Sequence, residues 1–447
     1  MNTIRFNDAL RLAVLALRRL ELPGEPRPRL IRDVYGRLRF ALDCAQADYP
    51  TAALERLQKA QEALGAYATS LEVLSHDSFS NPDAVFGGGD WHRTLVELGH
   101  DEDGASLGQA EVLLLDRQVI GQDWLRTSRY AEAGHPPRVV FYGLKGGVGR
   151  STALAMLAYR LARDGKRVLL IDFDLESPGL SGLLLPQERV APYGLVDWFV
   201  EDAVGQGGDL LREMVSVSPL ADHTQGDIRV AAAVGQGETA YLSKLARAYA
   251  DTPAKEGPQT FADRMLRVTG LLEAQERPDI VLIDSRAGLH DVAAVAIGSM
   301  ASVALLFATD SQQHWQGYRQ LFMHWQQRPE VLRQVRERIV MVQALFPESD
   351  QAERASRFVQ NAWELFRDLV YDQLEPGTDA PEDAFTFDLH SEDAPHFPMR
   401  VRWNVRFQEF DPLLSRSAGG VDDTDIDLAF GPFVQEVIAA LPELTNG

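Results

Sequence analysis

The chain has 447 residues, is 45% hydrophobic and carries a formal charge of −21, which gives apolar mass for one large α/β core and a smaller one. That acidity excludes sequence-independent binding of nucleic acid through an overall cationic surface, although a local basic patch stays compatible with it. Cys44 is the only cysteine, so an intrachain disulfide or a cysteine metal cluster is excluded; the first residues lack the basic-then-apolar order of a signal peptide, no uncharged apolar run of about 18 residues occurs, and a reducing, cytoplasmic, membrane-free setting is expected.

Apolar positions recur at helical spacing over Asn7–Leu20, Arg29–Gln46 and Thr51–Leu74, and Pro23-Gly24-Glu25-Pro26 stops the first run. Residues 1–75 are therefore predicted to form a small antiparallel helical bundle, suited either to supporting the rest of the chain or to docking an effector protein. Residues 76–135 read as a linker and lead-in. Asn81-Pro82, Gly87-Gly88-Gly89 and the acidic run from Asp101 precede Gln109–Trp124, a helix or hairpin in which Trp124 is a packing anchor.

From Arg138 the pattern changes. The β-branched and aromatic run Val139-Val140-Phe141-Tyr142 breaks into Gly143-Leu144-Lys145-Gly146-Gly147-Val148-Gly149-Arg150-Ser151-Thr152, followed by a helical periodicity. A strand feeding a glycine-rich turn at a helix start is a phosphate-binding loop. Glycines let N–H groups converge on a polyphosphate, and the helix adds its positive end. The candidate binding residues are Lys145, Gly146, Gly147, Val148, Gly149, Arg150, Ser151 and Thr152, with the Ser151 hydroxyl placed for Mg²⁺ and Thr152 for a phosphate oxygen.

Two positions depart from the ordinary loop: Leu144 stands where the first glycine is expected, and Arg150 replaces the lysine. The segment from Lys145 to Ser151 resembles the deviant loop of the MinD/ParA ATPases, and within them a variant group named for a Lys-Gly-Gly-Val-Gly-Arg motif. The resemblance implies an α/β P-loop NTPase domain over 136–447, with a mostly parallel sheet flanked by helices and ATP as the ligand. It also implies an ATP-sandwich homodimer in which Lys145 reaches the nucleotide held by the other subunit.

Downstream, a helix over Thr152–Asp164 and a strand over Val168–Ile171 complete a βαβ crossover, and the strand ends in Asp172-Phe173-Asp174. Two acids one residue apart at the C-terminal end of a parallel strand reach the ligand-bearing edge of the sheet. By resemblance to the Asp-x-Asp of switch I, Asp172 supports Mg²⁺ through water and Asp174 orients the attacking water. Capping the following turn is the simpler reading of both acids. A strand over Asp227–Ala233 and a helix over Thr260–Glu276 lead to Pro278–Asp284, which looks like Walker B, with Asp284 in the Mg²⁺ shell.

Ser285 to Asp291 then occupies switch II, where Gly288 either lets the backbone approach a γ-phosphate or is a plain turn glycine. Arg286, together with Arg150, can supply the charge of the missing lysine, or it can pair with a switch carboxylate. His290 reads as a hydrogen-bonded loop residue. Strands over Val303–Thr309 and Ile339–Gln343, a helix over Ala355–Leu374 and a last helix over Pro432–Leu441 complete the domain, with Trp403, Phe407 and Phe410 as packing residues. In relatives the loops after these two strands line the purine pocket, which makes Gln343 either a base contact or a strand-end amide.

The chain thus reads as a Mg²⁺–ATP-dependent, homodimerising switch ATPase with Asp174, Lys145, Arg150 and Arg286 as its catalytic residues. Turnover is expected to be slow, because the loop lysine is absent. The variant group is associated with bacterial conflict systems, which implies an anti-phage response through an effector bound by the N-terminal bundle. Two further readings are a non-hydrolysing nucleotide-binding scaffold and a ParA-like DNA-partition ATPase, the latter opposed by the acidic charge.

Overall fold

The computed structural model describes residues 4–20, 22–68, 72–88, 91–100, 103–126, 134–253, 258–374, 381, 383–407, 411–414 and 421–441. It divides into two compact units, Met1–Gln122 and Asp123–Gly447.

The first unit is not a helical bundle. Two helices, Phe6–Arg19 and Thr51–Glu62, pack against a four-stranded sheet of order β2-β1-β4-β3 (β1, Arg29–Arg32; β2, Leu38–Ala41; β3, His92–Glu97; β4, Gln109–Asp116). The predicted second helix is a hairpin. Asp33 accepts the N–H groups of Tyr35 and Arg37, Gly36 takes φ 81°, and β1 pairs antiparallel with β2. Val34 and Tyr35, which the helical pattern counted as apolar face, are 52% and 77% exposed. The third predicted helix stops at Glu62. The expected linker holds β3 and β4, with β4 parallel to β1, so the unit runs past residue 75.

The second unit is built on an eight-stranded sheet of order β12-β11-β10-β5-β9-β6-β8-β7. Its strands are β5 (Arg138–Gly143), β6 (Arg167–Asp172), β7 (Val215–Val217), β8 (Asp227–Ala231), β9 (Ile280–Asp284), β10 (Val303–Ala308), β11 (Ile339–Phe346) and β12 (Met399–Arg402). All neighbours run parallel except β7, which is antiparallel to β8. This is the expected α/β architecture of a mostly parallel, helix-flanked sheet.

β5 is buried along its whole length because helices cover both faces, which is why its sequence runs apolar without alternation. Val140 and Tyr142 face one layer, where Trp124 lies with ring centroids 6.0 Å from Tyr142 and 5.8 Å from Trp325. Val139 and Phe141 face the layer that contains the helices Arg150–Arg163 and Asp423–Ala439.

The helix expected over Ala355–Leu374 is Gln351–Leu369, and the last helix starts at Asp423, where Asp422 and Asp425 form a capping box. Pro432 lies inside this last helix. The carbonyl left without its helical partner belongs to Leu428, which is 57% exposed, so water can satisfy it. Phe407 packs on Phe430 at 4.9 Å, Trp403 is half-exposed, and Phe410 lies outside the described residues.

Phe433, next to that proline, sits against Phe141 and Phe307, with ring centroids 6.5 and 6.2 Å away. Phe433→Ala should therefore cost about 3–5 kcal/mol of stability, read as a lowered melting temperature. A loss below about 0.5 kcal/mol, the scale of a surface change, would show that this helix does not hold the phosphate-loop strand.

Candidate functional site

β5 ends at Gly143, and the chain turns through Gly147 and Gly149 at φ 77° and 75° into the helix Arg150–Arg163. Gly149 is the left-handed residue at the helix start, a conformation that costs an L side chain energy. A Cβ built on Gly146 or Gly147 would meet nothing within 4 Å, so the loop faces open space. Leu144, in place of a glycine, is buried, and a Cβ on Gly317 would come within 2.7 Å of Leu144 Cδ1. The larger loop residue is thus matched by a glycine in the helix Gln312–Gln326, a compensation that spacing along the sequence does not reveal.

Parallel register brings Asp172 at the end of β6 directly opposite Asp284 at the end of β9. Asp172 is fully buried and accepts the N–H groups of Asp174 (3.2 Å), Gly179 (3.2 Å) and Leu180 (3.1 Å), so it folds the turn after β6 around itself. Ser151 Oγ donates to Asp284 Oδ2 at 2.7 Å. Arg150 folds over the same end of the sheet. Its Nη2 donates to Asp174 Oδ2 at 3.1 Å, and its Nε lies 2.7 Å from Asp284 Oδ1, an ion pair outside hydrogen-bond geometry. Burial raises the carboxyl groups of Asp174 and Asp284 above the ordinary range, and the Arg150 charge pulls both back.

Arg150 Nη1 and Ser285 Oγ are buried with no hydrogen-bond partner among the described residues. Unsatisfied donors beside a glycine loop fit an anionic phosphate group, and the Ser151–Asp284 pair fits a hard cation. Among the described residues no three or more His, Cys, Asp or Glu side chains could hold a metal ion by themselves. A cation at Ser151 and Asp284 would draw its other ligands from phosphate oxygens and water, the usual habit of Mg²⁺.

The remaining predicted residues divide. Thr152 lies half-buried beside Ser151 in the first helical turn, and Val148 is buried within the loop. Lys145 is exposed and has no ion-pair partner among the described residues; after burial, its charge is the second cause holding the His314 ring below the usual range. Gly288 takes φ 86°, yet its N–H donates to Gly143 O and its carbonyl accepts from Tyr142 Oη, both at 3.1 Å. Of its two readings, the structure has the turn glycine, its N–H and carbonyl both bonded within the protein.

Arg286 takes the carboxylate alternative and pairs with Glu176, a residue that the sequence reading passed over although it stands two positions after Asp174. Gln343 is expected either as a base contact or as a strand-end amide. It is buried within β11, where its amide N–H faces Arg354 O at 3.4 Å and its oxygen accepts from Arg400 Nε at 3.3 Å. The strand continues past it to Phe346, so Gln343 is not at the strand end.

A family model described as the CobQ/CobB/MinD/ParA nucleotide binding domain matches residues 139–370, more than half of the chain. The chromosome-partitioning ATPase Soj of Thermus thermophilus is 48% identical over 52 residues, 12% of this chain and 21% of that protein; the match spans about a fifth of this curated relative's length. Among solved structures, the MinD cell division protein of Aquifex aeolicus is 14% identical, covering 68% of this chain and 97% of that one at a TM-score of 0.39. The cell division ATPase MinD of Pyrococcus furiosus is 15% identical, covering 68% and 98% at a TM-score of 0.41. Among the described residues no helix is long and apolar enough to cross a membrane.

Burial, then the facing Asp284, push the Asp172 carboxyl from 3.8 up to about 8. The native state then keeps a proton that the unfolded chain loses, so this stabilising contribution is full below pH 3.8 and is lost as pH rises through about 8. Melting temperatures of the ligand-free protein should fall between pH 5 and 8, as an order-of-magnitude window, and Asp172→Asn should flatten that slope. An unchanged slope in the variant would contradict the assignment.

Proposed function

The chain belongs to the CobQ/CobB/MinD/ParA nucleotide-binding domain family, and from that premise we propose that it is a Mg²⁺–ATP-dependent switch whose nucleotide state sets its dimerisation. The observation that carries this reading is the guanidinium of Arg150 lodged between Asp174 and Asp284, with Ser151 on the other oxygen of Asp284. Ser151 and Asp284 offer a cation two oxygens at the mouth of the glycine loop, and the guanidinium beside them offers a charge to phosphate.

In this reading the amides of residues 146–151 hold the β- and γ-phosphates of ATP. Ser151 and Asp284 would hold the metal, and Asp172 fixes the loop that carries Asp174. Bound Mg²⁺ would neutralise phosphate charge and leave the terminal phosphorus open to attack. Arg150 leaves the acids for phosphate oxygens, its planar fork doing the work of the absent lysine. Asp174, freed of Arg150, accepts a hydrogen bond from water and orients it. Lys145 reaches the nucleotide of a second copy, which suits its exposure.

The unit Met1–Gln122, with its mixed sheet and helices, is the module we assign to an effector protein, and a cytoplasmic anti-phage output is the role we attach to it. A non-hydrolysing scaffold is the second reading, favoured by the Arg150 ion pairs, which neutralise Asp174 and Asp284 without a metal.

Light scattering with an ATP analogue should show a dimer for wild type and a monomer for Lys145→Ala, with nucleotide affinity held within about threefold. A Lys145→Ala dimer would remove the trans-lysine role. In single-turnover phosphate release, Asp174→Ala should be slower by about 100-fold or more. Wild type and variant both at background would leave the scaffold standing.

A further inference from the structure

One carboxylate outside the phosphate-loop chemistry joins three segments of the second unit. Glu176 follows the Asp172–Asp174 turn, and its Oε1 is ion-paired with Arg286 Nη1, accepts the Tyr249 hydroxyl at 2.5 Å and faces His290 Nε2 at 3.8 Å. Its other oxygen, Oε2, is buried with no hydrogen-bond partner among the described residues. His290 Nδ1 accepts the Val292 N–H at 3.3 Å, so the neutral ring carries its proton on Nε2, the nitrogen that faces Glu176.

The helix Tyr241–Ala248 is tied to the same place at both ends. Tyr241 Oη donates to Leu175 O at 2.5 Å, and Tyr249, just past the helix, holds Glu176. Consecutive residues of the turn after β6 thus clamp one helix, while Arg286 brings in the segment after β9. The helix exposes Leu242 at 79%.

The Arg286–Glu176 ion pair uses a single carboxylate oxygen. A guanidinium is a planar fork matched to two oxygens, and a phosphate group offers three with greater charge. The pair is also about a quarter exposed on each side, where ion pairs contribute little stability. Such a contact exchanges readily for a better anion.

We propose that Glu176 is a positioning residue that holds Arg286 back in the ligand-free state, and that a terminal phosphate draws Arg286 away from it. The clamp on the helix Tyr241–Ala248 then loosens, so that this helix reports triphosphate against diphosphate. The inference rests on the nucleotide reading above.

The test is a double-mutant cycle read as affinities for ATP and ADP, not as turnover. Glu176→Gln should tighten ATP about threefold to fivefold, the scale of a partly exposed ion pair, and leave ADP within about twofold. In an Arg286→Ala background the same substitution should change ATP affinity by less than about 1.5-fold. Tyr249→Phe should move ATP in the same direction as Glu176→Gln by a smaller factor. Amide exchange over residues 241–249 should be faster with an ATP analogue than with ADP in wild type and equal in Arg286→Ala. Additive effects in the cycle, or equal weakening of both nucleotides by Glu176→Gln, would overturn the clasp while leaving nucleotide binding intact. If wild type binds neither nucleotide, the functional reading fails and this inference falls with it.

Discussion

The working end of the large sheet depends on one guanidinium. Parallel register stacks Asp172 against Asp284, and the turn after β6 adds Asp174, so three carboxylates meet where the interior offers little water. Left alone, such a cluster would have to protonate or pull apart. Arg150 answers two of the acids by contacting Asp174 and Asp284 together, while Asp172, ringed by three amides, keeps its proton up to about pH 8. Breaking a buried pair of this kind by removing one partner typically costs about 3–5 kcal/mol. The same residue opens the helix after the glycine loop, so the group that stabilises the acid cluster also stands at the helix start, where an anion would meet it.

Under the proposed function this arrangement would make ligand binding an exchange of partners. A triphosphate with its cation would bring negative charge to Arg150 and positive charge to Asp284, so neither would be left unpaired when their contact breaks. The Glu176–Arg286 contact has the same logic one layer out, since a single carboxylate oxygen is a poorer partner for a guanidinium than a phosphate group. Two arginines thus rest on acids, one in the loop and one after β9, and each contact leaves a buried polar atom, Arg150 Nη1 and Glu176 Oε2, without a hydrogen-bond partner among the described residues. Tyr249 extends the outer pair to the helix Tyr241–Ala248, on which Leu242 faces solvent.

Much of the large unit was legible because its physics is local. Val139 to Tyr142 had to be a strand covered on both faces, since an apolar run without alternation ending in glycines has few other stable uses. Asp172 and Asp284 stand out for the same reason, as acids closing such runs. The first unit was misread because Ile31, Val34, Tyr35, Leu38 and Leu42 fit a helical period as well as a hairpin, and the deciding signal was a turn. Asp33 capping Tyr35 and Arg37, with Gly36 in the left-handed region, outweighs that period. The last helix was cut short at Pro432, an internal proline whose unpartnered carbonyl belongs to the exposed residue Leu428. The match of Leu144 to Gly317 and the side-chain bonds of Gln343 are contacts between distant segments, and no spacing rule encodes them.

The central claim is that Mg²⁺ and a triphosphate replace Arg150 at Asp284. A crystal structure of the full chain grown with Mg²⁺ and a non-hydrolysable ATP analogue tests it most directly. The account predicts the Arg150 guanidinium on phosphate oxygens, with Ser151 and Asp284 turned to the metal and their direct hydrogen bond broken. Arg150 still paired with Asp174 and Asp284, beside a glycine loop that holds no nucleotide at saturating concentration, would contradict it.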